Sequence, residues 1–277
     1  MRGIALVVVL SLGVGIGVNV VIFSWIQAVV FQPIPGVAQA ASFHLVEPRS
    51  ETGMNPGTSW KEYQDLRLRL RTFGDLLAFR MTSLYVGEPG QVERAYGLLV
   101  SGNYFDALGL RPAAGRFFRP EEVANPGGDP VAVISHEYWQ SRFAGASAAI
   151  GQSIRVNSRT LTIVGVAPRG FQGTVLRLKF DLWLPATMAP ALLNGSRELE
   201  QRSSRGYTAT GLLTPGTSRA QAQSDLAGAQ EAYARYAGDH WRELIRRYRP
   251  AVLWNDIANP TGLDAEALFR EYYAAVP

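Results

Sequence analysis

The sequence predicts an α+β protein: one membrane-spanning helix at the N-terminus, then a globular region on the outer side of the membrane. Three observations lead there. A long charge-free apolar run opens the chain, two amphipathic helical patterns follow, and short apolar runs bounded by Gly and Pro lie between them. The chain of 277 residues is long enough to bury a substantial core.

Between Arg2 and Glu47 there is no Lys, Arg, Asp or Glu. As a helix, Gly3–Phe31 would be about 43 Å long, against about 30 Å of bilayer hydrocarbon, so it spans with tilt. Pro33 and Pro35 end it, since each lacks an amide donor and restricts the residue before it. Arg2 at the inner flank favours the N-terminus inside and the bulk outside. Ala38-Gln39-Ala40 also matches a signal-peptidase pattern, which keeps a cleaved signal peptide open as an alternative. Against it, the apolar run is roughly twice the usual length of a signal core. At roughly 100° per residue, Gly13, Gly17, Ser24, Gln27 and Ala28 fall in one stripe, with Asn19 nearby. Small residues allow close backbone approach and Asn, Ser and Gln can bond across a helix pair, so these six are expected to face other membrane helices.

Thr58 or Ser59 can cap a helix running to about Leu77, because Trp60, Tyr63, Leu66, Leu70, Phe73 and Leu77 recur at three- and four-residue intervals. Gly87-Glu88-Pro89-Gly90 is a turn between strands Leu84–Val86 and Val92–Val100. Asn103–Leu108 reads as a short helix, Val131–Ile134 as a buried strand, and Ser135 as the cap of a short helix carrying Trp139 and Phe143. Gln152–Asn157 and Thr160–Val166 alternate around Ser158-Arg159 like a hairpin. Beyond Asp181–Pro185 the chain loosens through polar Asn194–Arg205. It resumes as strand Tyr207–Leu213, turns at Thr214-Pro215-Gly216, and enters a helix from Ser218 to Tyr236 with Ala222, Leu226, Ala229, Tyr233 and Tyr236 on one face.

The formal net charge is +4, and apart from Lys61 and Lys179 every one of the 27 basic residues is arginine. The clusters Arg67, Arg69, Arg71 and Arg246, Arg247, Arg249 sit on helical patterns and read as solvated faces, so no nucleic-acid partner is expected. The absence of cysteine removes disulfides, thiolate nucleophiles and Cys-ligated zinc. His136-Glu137 begins like HExxH, but residue 140 is Gln. Gly13-x-Gly15-x-Gly17 lies inside the apolar run and follows no strand, which removes a dinucleotide site. Glu121-Glu122 reads as ordinary surface. No catalytic residue, cofactor or metal ligand is expected. Trp139, Trp183, Trp241 and Trp254 either line a path or pack in the core, the commoner fate of Trp.

Several blocks, in order, carry a resemblance: LSLGVGIGVNVVIFSWIQAVVFQPIP (Leu10–Pro35), SGNYFDALGLRPAAGRFF (Ser101–Phe118), VAVISHEYWQSRFAG (Val131–Gly145), IGQSIRVNSRTLTIVGVAPRGF (Ile150–Phe171), DLWLP (Asp181–Pro185) and LLTPGTSRAQAQSDL (Leu212–Leu226). Together they resemble MacB/FtsX-type ABC transporter permeases, especially the large permease family of acidobacteria. The resemblance implies a transmembrane helix over residues 1–34, an extracytoplasmic core domain over 35–250, and a C-terminal segment over 251–277. The core would be a split α/β porter-like part with a small β-rich subdomain inserted at about 101–171. It implies a protein of the bacterial inner membrane that works with a cytoplasmic ABC ATPase and further membrane helices or a permease subunit, as a homodimer or in a larger complex. ATP-driven movement of the membrane helices would drive the outer domain. Residues 251–277 contain charges and no spanning run, so the chain reads as a fragment or a truncated product. Two other readings stay open: a single-pass binding or scaffolding module, and a secreted enzyme whose mature form begins at Ala41.

Replacing Gly13 and Gly17 together with Leu is expected to abolish detergent-resistant association on gels of the membrane-extracted chain. Unchanged association would remove the packing role of the stripe.

Overall fold

Burial of the central strands on both faces explains most of the architecture. In this computed structural model the described residues are 12–24, 34–37, 42–46, 57–175, 177–250 and 263–275. Ten strands form one mixed sheet in the order β1-β10-β3-β4-β9-β6-β8-β5, with β2 on β10 and β7 bridging β3 and β8. They are β1 (Phe43–Val46), β2 (Thr58–Ser59), β3 (Phe73–Val86), β4 (Glu93–Val100), β5 (Ala114–Gly115), β6 (Val131–Ile134), β7 (Ser153–Val156), β8 (Arg159–Val166), β9 (Leu182–Pro185) and β10 (Arg205–Leu213).

The pairing path β3-β4-β9-β6-β8-β7 returns to β3 through Val86 opposite Val156, so six strands close on themselves. One core fills the inside of this circuit, with Leu84, Leu99, Ile134, Val156, Ile163 and Leu182 each coming from a different strand. Side chains of opposite parity form the second core outside: Phe79, Leu98, Val133 and Trp183 join Tyr104, Phe105 and Phe171. Two-sided burial is why LLAF, GLLV, VAVI and LWLP are continuous apolar runs rather than alternating ones. Between Ala132 and Val133 the register of β6 against β8 slips by one residue, and that bulge shifts the alternation so that Val166, opposite Ile134, faces the first core. The stretch 101–171 supplies β5 to β8, all joined to this sheet.

The helices are α1 (residues 12–24), α2 (Trp60–Arg69), α3 (Tyr104–Ala107), α4 (His136–Phe143), α5 (Ala189–Leu192), α6 (Arg219–Tyr248) and α7 (Ala265–Ala275). Ser59 caps α2 in a reciprocal box with Glu62, and Ser135 caps α4 through the Tyr138 amide. The expected helix to Leu77 stops at Arg69; Phe73 and Leu77 belong to β3. The helical spacing continues by coincidence, but β10 and β4 take the backbone hydrogen bonds from Phe73 onward, and tertiary pairing overrides the local pattern. The second hairpin turns at Asn157-Ser158, one residue earlier than expected. Both residues have positive φ, the conformation that matches the twist of flanking strands.

Helix α6 runs twelve residues beyond its expected end at Tyr236, whose side chain is exposed rather than on the buried face. Its C-terminal half is covered by α7 instead of the sheet, with Ile245, Leu268 and Tyr272 forming a small third core. Among the described residues no helix is long and apolar enough to cross a membrane. Most of the Gly3–Phe31 span lies outside the described residues.

A Cβ at Gly165 would run into the carbonyl oxygen of Arg116. Gly165→Ala is therefore expected to destabilise the domain by about 1–3 kcal/mol, read as a lower urea midpoint with an unchanged slope.

Candidate functional site

The polar stretch that looks loose in sequence is pinned by charge. From Ser196 to Tyr207 it lies across α2, β3 and α6 and carries most of the buried ionic contacts. Glu198 is almost fully buried. Its carboxylate accepts hydrogen bonds from Arg80, from the Tyr207 hydroxyl at 2.7 Å and from the Ser196 hydroxyl at 2.9 Å. Burial works to raise the Glu198 pKa, but the donors from Arg80, Tyr207 and Ser196 outweigh it and hold the carboxyl below its ordinary value. The Tyr207 hydroxyl is pushed far up, first by burial and then by the Glu198 charge it faces.

Next along the strand, Arg205 donates to Glu62 at 2.7 Å and to the Gly57 carbonyl at 2.9 Å. Burial raises the Glu62 pKa despite the opposing pull of Arg205. Arg202 pairs with Asp65 at 2.8 Å and its guanidinium lies 5.1 Å from the Tyr233 ring centroid, which ties the stretch to α6. A second tie lies one helical segment earlier. Asp225 accepts from the Arg71 amide at 2.9 Å, the Thr72 amide at 3.0 Å and the Thr72 hydroxyl at 2.7 Å. These donors overcome desolvation and hold Asp225 below its ordinary pKa. Beside it an open groove of about 560 Å³ is lined by Arg69, Arg71, Gln221 and Gly228.

This arrangement is suited to stiffness rather than covalent chemistry. Its carboxylates are engaged by guanidinium groups or backbone amides. No group of three metal-ligating side chains comes together among the described residues. His136 stacks edge-on against Trp139 and His240 stacks on Tyr236, while His44 sits on β1. Glu122, read as surface, is buried: Arg116 binds it through two contacts and the Arg119 amide donates at 2.9 Å. Trp183 is fully buried in the second core and lines no surface, whereas Trp139 and Trp241 are half-buried; Trp254 lies outside the described residues.

Of the helix-packing stripe, Gly13, Gly17, Asn19 and Ser24 lie on α1, while Gln27 and Ala28 lie outside the described residues. A Cβ at Gly13 or Gly17 would meet nothing within 4 Å. Asn19 spends its amide donor on the Gly15 carbonyl of its own helix, at 2.8 Å. Val14, Ile16, Val21 and Phe23 are all more than 60% exposed, so α1 shows apolar side chains all round with no protein cover. None of Arg80, Glu198, Arg202, Tyr207 and Asp225 was marked by the sequence. Their partners lie far away along the chain, Arg80 118 residues from Glu198 and Thr72 153 residues from Asp225.

Because the folded-state pKa values of Glu198, Glu122 and Asp225 are lowered, the stability they contribute is present above the unfolded carboxylate range and lost as pH falls through the folded values. Stability to urea is expected to drop as pH falls below about 5, and Glu198→Gln should flatten that slope. At neutral pH Glu198→Ala is expected to cost about 3 kcal/mol, since Arg80 and Tyr207 lose a buried acceptor.

Three comparisons with known proteins place this geometry. The domain resembles the crystal structure of the periplasmic region of MacB from Actinobacillus actinomycetemcomitans, with a TM-score of 0.54 at 15% identity, over 72% of this chain and 86% of that one. It also resembles a domain of a candidate permease protein from Porphyromonas gingivalis, with a TM-score of 0.51 at 17% identity, over 73% of this chain and 84% of that one. At these identities the likeness speaks to fold alone. A search of curated proteins finds no match. The family described as the MacB-like periplasmic core domain matches residues 5–229, from within the apolar N-terminal run into the N-terminal part of α6. The chain belongs to the family of MacB-like periplasmic core domains.

Proposed function

We propose that this chain is the permease component of a MacB-like ABC export system. In this reading Gly3–Phe31 spans the bacterial inner membrane, and residues 35–250 form the extracytoplasmic domain, with a β-rich lobe at about 101–171. Residues 251–277 follow as a C-terminal segment. ATP hydrolysis on a separate cytoplasmic subunit moves the membrane helices, and the outer domain moves with them. The chain itself supplies no catalytic group.

The family match over residues 5–229 carries this reading, because it takes in both the apolar run and the folded domain. The uncovered apolar surface of α1 supports it, since such a helix is stable when lipid or other helices surround it. Gly13, Gly17, Asn19, Ser24, Gln27 and Ala28 are then the face toward further membrane helices or a second copy.

The natural absence of cysteine makes a clean test available. A single cysteine at exposed Ala148 is expected to react with a membrane-impermeant maleimide in spheroplasts, and the chain should stay in the pellet after carbonate washing. Release by carbonate, or labelling only after lysis, would overturn the membrane placement. For coupling, spin labels at Ile16→Cys and Ala148→Cys in native membranes should change separation on adding ATP with vanadate. An unchanged separation would count against ATP-driven motion.

A further inference from the structure

Where the β3–β4 and β7–β8 hairpins meet the end of α5, the domain surface opens into a cleft of about 490 Å³. That size lies within the roughly 300–1,000 Å³ typical of small-molecule sites. Its walls come from separate parts of the chain, and Asn157 ties them together. The Asn157 side chain accepts from the Tyr85 amide at 2.8 Å and donates to the Leu192 carbonyl at 2.9 Å. Its backbone amide donates to the Tyr85 carbonyl at 2.8 Å, and the Gly87 amide donates to the Arg155 carbonyl at 3.0 Å. Gly87 makes the turn at the rim with φ +132°, where a Cβ would strike the Gln91 carbonyl oxygen. The cleft is therefore formed before any ligand arrives, which lowers the ordering cost of binding.

The lining joins apolar surface to a single cation. Buried Leu192 and half-buried Leu193 line it from α5. Tyr85 and Val92 line it from the β3–β4 hairpin, and the fold leaves them 59% and 50% exposed. Arg155 supplies the charge. Its guanidinium lies 3.8 Å from the carboxylate of Glu88, which is itself exposed. A pair so long and so open to water adds little, so Arg155 can exchange Glu88 for a better-placed acceptor. Among the described residues no carboxylate lines the cleft. An arginine fork grips a carboxylate through two parallel N–H···O bonds, and the Tyr85 ring offers a flat face to an apolar body held beside it.

We propose that this cleft binds a small monocarboxylate with an aromatic or branched apolar body. The carboxylate sits on Arg155 and the body lies against Tyr85, Val92 and Leu193, while Asn157 is the positioning residue that holds the walls in register. Inorganic phosphate fits less well, because one guanidinium faces a largely apolar wall and no second cation lines the cleft among the described residues. The inference goes beyond the transport reading and stands without it, since every lining residue belongs to the folded domain.

The test is equilibrium dialysis of cinnamate against the full chain in lipid nanodiscs, with empty nanodiscs subtracted. Saturable binding of one equivalent is expected. Cinnamamide keeps the ring and loses the charge, and acetate keeps the charge and loses the ring; each should bind about tenfold more weakly or worse. Arg155→Gln should weaken cinnamate about tenfold and Tyr85→Ala about fivefold, with urea midpoints unchanged. Arg247→Gln, at an arginine paired as loosely with Glu243 at 3.7 Å, should leave binding as it was. If Arg155→Gln does not fold, Val92→Glu decides, because a carboxylate at that exposed wall should abolish binding. Absence of saturable binding overturns the proposal, as does equal affinity for cinnamamide or acetate. So does an affinity that Arg155→Gln leaves intact, or that Arg247→Gln lowers as much.

Discussion

Two-sided burial of the central strands is the constraint on which the rest of this structure depends. Strands β6 and β9 and the second half of β4, residues 97–100, bury every residue they present to either face, so each face must be covered by something else. Closure of six strands through β7 covers one face with the strands' own side chains. Coverage of the other falls to α3, the Phe117-Phe118 loop, Phe171 and the Ile34–Val37 turn. The turn before β1 is therefore required by the core. A segment that looks like a linker is part of the hydrophobic packing.

The polar contacts have a different distribution and a different consequence. They collect along one seam, where the Ser196–Tyr207 stretch meets α2, β3 and α6. Buried ion pairs add little net stability compared with apolar packing, but breaking one partner away is costly. A seam of this kind resists partial opening and favours movement of the joined elements as a unit. Asp225 and Tyr233 fasten only the N-terminal half of α6 to the body. At 30 residues, about 45 Å, the helix projects well beyond those ties, and its far half packs against α7. The domain thus has a rigid body, one docked entry near Val37, and one long exit helix.

The regularities that the sequence displays are local ones, and they reached the structure largely intact. Ser59, Ser135 and Ser218 cap helices as their positions suggest, because capping needs only residues three apart. The turn at Gly87–Gly90 and the strand at Val131–Ile134 were readable from punctuation and apolar runs. Errors arose where local signals compete with distant ones. Phe73 and Leu77 continue a helical spacing, yet β10 claims their backbone. Glu122 looks like half of an acidic surface pair until the Arg116 fork folds over it.

By itself the sequence determined the α+β composition, the charge-free N-terminal run, the family and most caps and turns. Each of these depends on residues within a few positions of one another, or on ordered blocks that can be compared directly. Only the tertiary structure decided the closure of β7 on β3, the covering of α6 by α7, and the pinning of Glu198 and Asp225. It also decided that Val37 and Phe171 share the second core. Those contacts join groups up to about 150 residues apart, and the pairing of such groups is set by how the cores close rather than by any signal in the local sequence.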